Sequence, residues 1–366
     1  MHSSKSLFIL TIICITCCFV IPQIGIAQSQ KEFAKELEEA NLNVYQDAAK
    51  AVALSTEVYQ KAELLETKIY ALITMVNGYT ALNENGKSLQ FASKTWELAK
   101  SSGNVQYKIW ALGVLAEQYQ LSHLNAISRE YLDRAENLLE SSDLSKEALA
   151  VSRGNIYAIK GNGYKDEIDC EYAIKNYNLS IASYQTMPEN SVSVNNLALV
   201  FLEKGNCLLD LNKLKQAKTN FKKAYSIAIQ NELEEYKHWA NIGLAKIASQ
   251  EGNYVAAKDS VAQILNTIDT TQNPKTKTEL YLLLKENFLA LGDKSNYELY
   301  RKKYSNSAKE IEILEERQFE NVLQFVEEQP LDTGKSLKVL DYILYGLLVI
   351  AMIVSVWQLW IWVKNK

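Results

Sequence analysis

Residues 71–99 read ALITMVNGYTALNENGKSLQFASKTWELA, and the same layout returns along the chain. Residues 111–139 read ALGVLAEQYQLSHLNAISREYLDRAENLL, and residues 199–228 read LVFLEKGNCLLDLNKLKQAKTNFKKAYSIA. Each copy has a small or apolar pair, an aromatic or Leu three residues on, a polar turn, and a second apolar-periodic segment. Residues 239–265 (WANIGLAKIASQEGNYVAAKDSVAQIL) and 280–304 (LYLLLKENFLALGDKSNYELYRKKY) are further copies. They recur at about 40 residues, a period that marks stacked repeat units. Scarce Pro (4 in 366 residues) and abundant Ala, Leu, Glu, Lys, Tyr and Asn favour helix throughout.

The first-helix site falls at Val76, Ala116, Gly154, Gly205, Ala245 and Lys285. About 12 residues later come Ser88, Ser128, Ala217, Ala257 and Tyr297, and seven after those Thr95, Ala135, Ala224, Ile264 and Tyr304. This pattern of small residues resembles the tetratricopeptide repeat, with a period longer than its standard 34 residues. The resemblance covers about residues 30–304 and implies an all-α solenoid of antiparallel helix pairs. Short side chains let paired helices approach, and Tyr79, Tyr119 and Tyr157 fill the space beside the contact. A lone pair cannot bury its apolar face, so neighbours stack. In the fourth copy Gly154 must reach Ala173, which places an insertion, KGNGYKDEID from Lys160, in the turn. Large residues at Lys285, Tyr297 and Tyr304 mark the last copy as a terminal cap. Residues 31–43, with Ala51, Ser55 and Val58, read as a degenerate first pair.

In that family the first helices line a groove. The position after the small residue carries Asn77, Glu117, Asn155, Asn206, Lys246 and Glu286. An Asn amide offers both a donor and an acceptor to a peptide backbone. The resemblance therefore implies a peptide groove using Asn77, Asn155, Asn206 and Lys246, with Tyr70, Trp110 and Trp239 as apolar anchors. The alternative is Asn tolerated on a solvated face and aromatics packed between repeats.

Two apolar runs flank the repeats. Tyr342–Val363 carries no charge, and roughly 20 such residues cross a bilayer. Leu7–Ile21, after Lys5 and before Gly25 and Ala27, reads as a secretory signal peptide, with an uncleaved anchor as the alternative. A lipoprotein reading fits poorly, because Cys14 stands where Leu is needed before Cys17. The expected order is a leader (1–27), a repeat domain (28–304), a charged capping or coiled-coil helix (305–329), a linker (330–338), a transmembrane helix (339–363) and a cytoplasmic tail (364–366). That order puts the repeats in the periplasm or cell exterior on a single-pass anchor. Trp357, Trp360 and Trp362 at one end and Tyr342 and Tyr345 at the other suit the membrane interfaces. Cys170 and Cys207 in the exported part read as two small buried hydrophobes, with a pair as the alternative.

A net charge of −4 without a basic stripe argues against nucleic acid. His123 and His238 lack nearby ligands at metal spacing. Gly334-Lys335-Ser336 has Gln329 where a phosphate loop needs Gly. Gly161-Asn162-Gly163, with Asp166, Glu167 and Asp169, lacks the EF-hand spacing and reads as a solvated turn. No cofactor, metal or catalytic set is expected, and the chain reads as no enzyme. The expected function is a membrane-anchored protein- or peptide-binding module, resembling the sensor half of bacterial signalling proteins without their output domain. A homodimer or a separate membrane signalling partner would complete such a role. The alternative is a structural scaffold or assembly factor for an envelope complex.

Overall fold

The computed structural model describes residues 31–41, 44, 47–187, 193–267 and 274–328. The expected leader, linker, membrane helix and tail lie outside the described residues. Among the described residues all regular structure is helical, and no helix is long and apolar enough to cross a membrane. Two compact units are distinguished, Met1–Phe319 and Glu320–Lys366. The first holds the repeats. The second contributes only helical residues 320–328 to the described part.

The helices follow in pairs: α1 (31–41) with α2 (Ala48–Lys61), α3 (Leu65–Ala81) with α4 (Asn85–Ser101), and α5 (Val105–Leu121) with α6 (Asn125–Glu140). Then come α7 (Lys146–Glu167) with α8 (Cys170–Tyr184), and α9 (Ser193–Asp210) with α10 (Leu214–Gln230). The last are α11 (Glu234–Gln250) with α12 (Tyr254–Thr267), and α13 (Pro274–Ala290) with α14 (Lys294–Glu328).

The turns within the pairs carry the repeat as plainly as the helices do. Asn83, His123, Asn212, Gly252 and Gly292 all take positive φ, between 56° and 81°. Each is followed by an amide that reaches back to the helix it leaves: Glu84 to the Tyr79 carbonyl, Leu124 to Tyr119 and Lys213 to Leu208, all at 2.8 Å. This left-handed residue with its long backward bond satisfies carbonyls that a helix end leaves unpaired. Asn and Gly are the residues that tolerate it best. At the starts, Asn104 Oδ1 accepts the Gln106 amide at 2.9 Å and Asp169 Oδ1 accepts the Glu171 amide at 2.8 Å. These are ordinary N-caps.

Small residues sit where the helices nest. Val76, Ala116, Ser88, Ser128, Ala173, Ala217, Ala245 and Ala257 are all buried, as are Gly154 and Gly205. Phe221 of α10 lies against both Gly205 of α9 and Gly243 of α11, and a Cβ on either glycine would collide with its ring. Burying one such ring is worth about 2–3 kcal/mol, and it ties three helices at once. Tyr79 stacks on Phe91 at 5.2 Å and Tyr119 on Tyr131 at 5.5 Å between ring centres, closing the space beside the small residues. In the last pair Lys285, Tyr297 and Tyr304 stay partly exposed, and Leu280 and Leu284 do the packing.

Three expectations are corrected. The stretch from Lys160 is not a turn: α7 runs on through Gly161-Asn162-Gly163 to Glu167, so the insertion lengthens a helix. Gly161 there packs against the Tyr177 ring, as Gly154 packs against Tyr184. The spacing from Gly161 to Ala173 equals that from Gly205 to Ala217, so Gly161, not Gly154, holds the repeat register. Second, Cys170 and Cys207 are bonded, with Cα atoms 5.0 Å apart. They occupy facing positions on the neighbouring helices α8 and α9, which linear spacing does not reveal. Third, the charged helix expected from 305 is the continuation of the last pair's second helix, α14. Within the first unit, the Gln318 amide of α14 donates to the carbonyl of Asn83 at the α3–α4 turn.

Candidate functional site

First helices touch first helices: α3 meets α5, α5 meets α7, α7 meets α9, α9 meets α11, and α11 meets α13. The result is one continuous face made of first helices. A stripe of residues at i, i+3 and i+7 runs along it, because those offsets fall on one side of a helix, and its middle residues on α9 and α11, Leu202 and Ile242, are buried. On α9 the stripe is Leu199, Leu202 and Asn206, and on α11 it is Trp239, Ile242 and Lys246. These six line a half-open recess of about 240 Å³, together with Glu203, Gly243 and Glu279. Leu202, Ile242 and the Trp239 ring give it an apolar floor. Asn206 and the Lys246–Glu279 ion pair give it a polar rim. Thus Asn206, Lys246 and Trp239, expected to share a groove, line one cavity. Trp239 also meets Tyr236 edge-on at 5.3 Å.

The other expected residues fall elsewhere on the same row. Tyr70 of α3 and Trp110 of α5 are ring neighbours at 5.3 Å, and Tyr107 adds a third ring 5.9 Å from Trp110. Tyr70 is 39% exposed. Asn77, two turns along α3 from Tyr70, is partly exposed. Asn155 departs from the expectation of a groove residue. Its Oδ1 accepts the Tyr184 hydroxyl and, at 2.9 Å, the Asn196 amide. It therefore joins α7 to α8 and α9. In the corrected register Asn162 is the counterpart of Asn206, and its Oδ1 accepts the Tyr177 hydroxyl at 2.8 Å. Both tyrosines are buried, and burial pushes their hydroxyls well above the ordinary phenol range.

Charge on this face is mostly paired. Lys165 reaches Glu203 at 2.8 Å, and Gln120 donates to Asp166 at 2.8 Å. Glu117 differs. It occupies the position of Asn77, Asn206 and Lys246, is largely buried, and makes no hydrogen bond or ion pair among the described residues. Desolvation raises its carboxyl from 4.5 to about 7. In the sequence Glu117 only shares the position after the small residue, and nothing sets it apart there, because burial is invisible in a single helical register.

Among the described residues no group of His, Cys, Asp and Glu is arranged to hold a metal ion. His123 is the left-handed turn residue after α5. His238 lies 3.4 Å by Nε2 from the Thr267 hydroxyl, and burial lowers its pKa. A second, larger recess of about 570 Å³ opens between α6, α7 and α8, floored by Leu139, Ile156 and Leu179.

No family model matches the chain, and no curated protein matches it. Solved structures do. A signal-transduction ATPase with a tetratricopeptide repeat sensor, from Pyrococcus horikoshii, matches with a TM-score of 0.55 and 16% identity, over 86% of this chain and 47% of that one. NprR in complex with its cognate peptide NprX matches with a TM-score of 0.52 and 14% identity, over 93% of this chain and 98% of that one. The shared feature is the fold. This is a tetratricopeptide-like helical-repeat solenoid.

Proposed function

We propose that the chain is a peptide-binding module, tethered to a membrane and facing away from the cytoplasm. The observation that carries the reading is the recess in which Asn206, Lys246 and Trp239 meet. An aromatic floor beside amide and charged groups suits an extended peptide, whose backbone needs donors and acceptors and whose side chains need apolar pockets. The similarity in fold to NprR, solved with a peptide, supports the same reading. The module works by binding rather than catalysis, and relay of a signal requires a second membrane protein or a second copy.

Placement outside the cytoplasm draws support from three features. The Leu7–Ile21 run has the form of a leader, and the Tyr342–Val363 run has the length and composition of an anchor. The Cys170–Cys207 bond belongs to an oxidising compartment. Protease added to spheroplasts is expected to digest the repeats; full protection would remove the placement and leave the fold untouched.

The binding claim is tested with the full-length protein in nanodiscs on a random-peptide array. Asn206→Ala combined with Trp239→Ala is expected to lower peptide retention about tenfold or more, with helicity unchanged. Equal retention by the variant would remove the recess from the account.

A further inference from the structure

The stripe that lines the α9–α11 recess repeats on the other first helices. On α3 it is Tyr70, Ile73 and Asn77; on α5 it is Trp110, Gly113 and Glu117. The middle position is a large aliphatic residue on α3, α9 and α11 (Ile73, Leu202, Ile242) and a glycine only on α5 among these four. A Cβ built on Gly113 meets no atom within 4 Å. Gly154, Gly161, Gly205 and Gly243 each give way to an aromatic ring; Gly113 makes room for nothing among the described residues. Glycine in mid-helix weakens the helix, so a vacant glycine here has a cost without a packing return.

The gap lies between two specific groups. One turn to the N-terminal side is the Trp110 indole, held by Tyr70 and Tyr107. One turn to the C-terminal side is the Glu117 carboxyl. Neighbouring acids on the same face have lysine partners, Glu203 with Lys165 and Glu279 with Lys246. Among the described residues Glu117 has none, and no cation there offsets its desolvation. A desolvated carboxylate without a counter-charge attracts a cation from outside more strongly than a solvated or paired one.

We propose that Trp110, Gly113 and Glu117 form a subsite for a basic side chain of the bound peptide. The aliphatic stem fills the space over Gly113, the indole face flanks the cation, and the Glu117 carboxylate accepts its N–H groups. The subsite rests on the peptide-binding reading and adds to it a charge preference. An arginine fits best, since its planar guanidinium both stacks on an indole and pairs with a carboxylate.

The test uses the full-length protein in nanodiscs and two pools of blocked random nonapeptides. The pools are identical except for Arg or Gln at the central position. The wild type is expected to hold the Arg pool about tenfold more tightly. Glu117→Gln is expected to abolish that preference. Gly113→Leu, which fills the gap, is expected to reduce the Arg pool to the level of the Gln pool. Equal binding of both pools by the wild type, or a preference that survives Glu117→Gln, overturns the subsite and leaves the peptide face standing. Failure of both pools to bind overturns the peptide face and the subsite together.

Discussion

At the scale of residues, two glycines on neighbouring first helices show how little a residue type says without its surroundings. Gly113 faces open space and Gly161 faces the Tyr177 ring. Gly113→Ala is therefore expected to stabilise the protein by up to about 1 kcal/mol, the helix-propensity difference. Gly161→Ala is expected to destabilise it by about 1–3 kcal/mol, because the ring must move. Urea unfolding of the two variants checks both signs. Glu117 sets a pH dependence. Its carboxyl is raised from 4.5 to about 7 in the fold, so the folded state holds a proton that the unfolded chain releases. Stability is complete below pH 4.5 and falls as pH rises through about 7. Glu117→Gln is thus expected to stabilise by about 1–2 kcal/mol at pH 8 and by nothing at pH 4, a difference read from unfolding at the two pH values. The small-residue positions were legible in the sequence because their spacing recurs. Glu117 and Gly113 were not, because burial of the one without a charge partner and open space beside the other leave no mark on a single register.

At the scale of elements, the informative helix is α7. Gly154 and Gly161 stand seven residues apart, two turns on one face, so either could hold the repeat register. With Gly154 as the small residue, the stretch after Lys160 reads as a loop and Asn155 as a groove residue. Measuring back from Ala173 by the spacing of the other copies selects Gly161 and makes the stretch helical. Asn155 then becomes a fastening between α7, α8 and α9. Asn155→Ala is expected to cost about 1–3 kcal/mol, since it removes the acceptor shared by the buried Tyr184 hydroxyl and the Asn196 amide, and to leave peptide affinity within about twofold. Thermal unfolding and the array assay separate those outcomes. The Cys170–Cys207 bond adds a covalent link between α8 and α9 where α7 and its partner depart from the regular repeat. Replacing both cysteines by Ala is expected to lower stability by about 2–4 kcal/mol, read from unfolding midpoints under non-reducing conditions. Cysteine pairing stayed open in the sequence because it depends on which helices become neighbours.

At the scale of the molecule, the repeats turn one local rule into a continuous surface. Pairs nest through short side chains and aromatic wedges, five of the turns within pairs close through a left-handed residue, and from α3 to α13 each first helix meets the next. The stripe at i, i+3 and i+7 then varies from repeat to repeat, while the small residues and aromatic wedges between the helices keep their places. A chain so built can change what it binds while keeping how it folds. The central claim is that this first-helix face holds the peptide. Photo-crosslinking tests it most directly: Arg-centred peptides with a benzophenone group are bound to the full-length protein, and the labelled residues are mapped by mass spectrometry. The account predicts labels on α3, α5, α9 and α11, at and around Trp110, Asn206 and Trp239. Labels confined to the second helices, or to the recess between α6, α7 and α8, would contradict it.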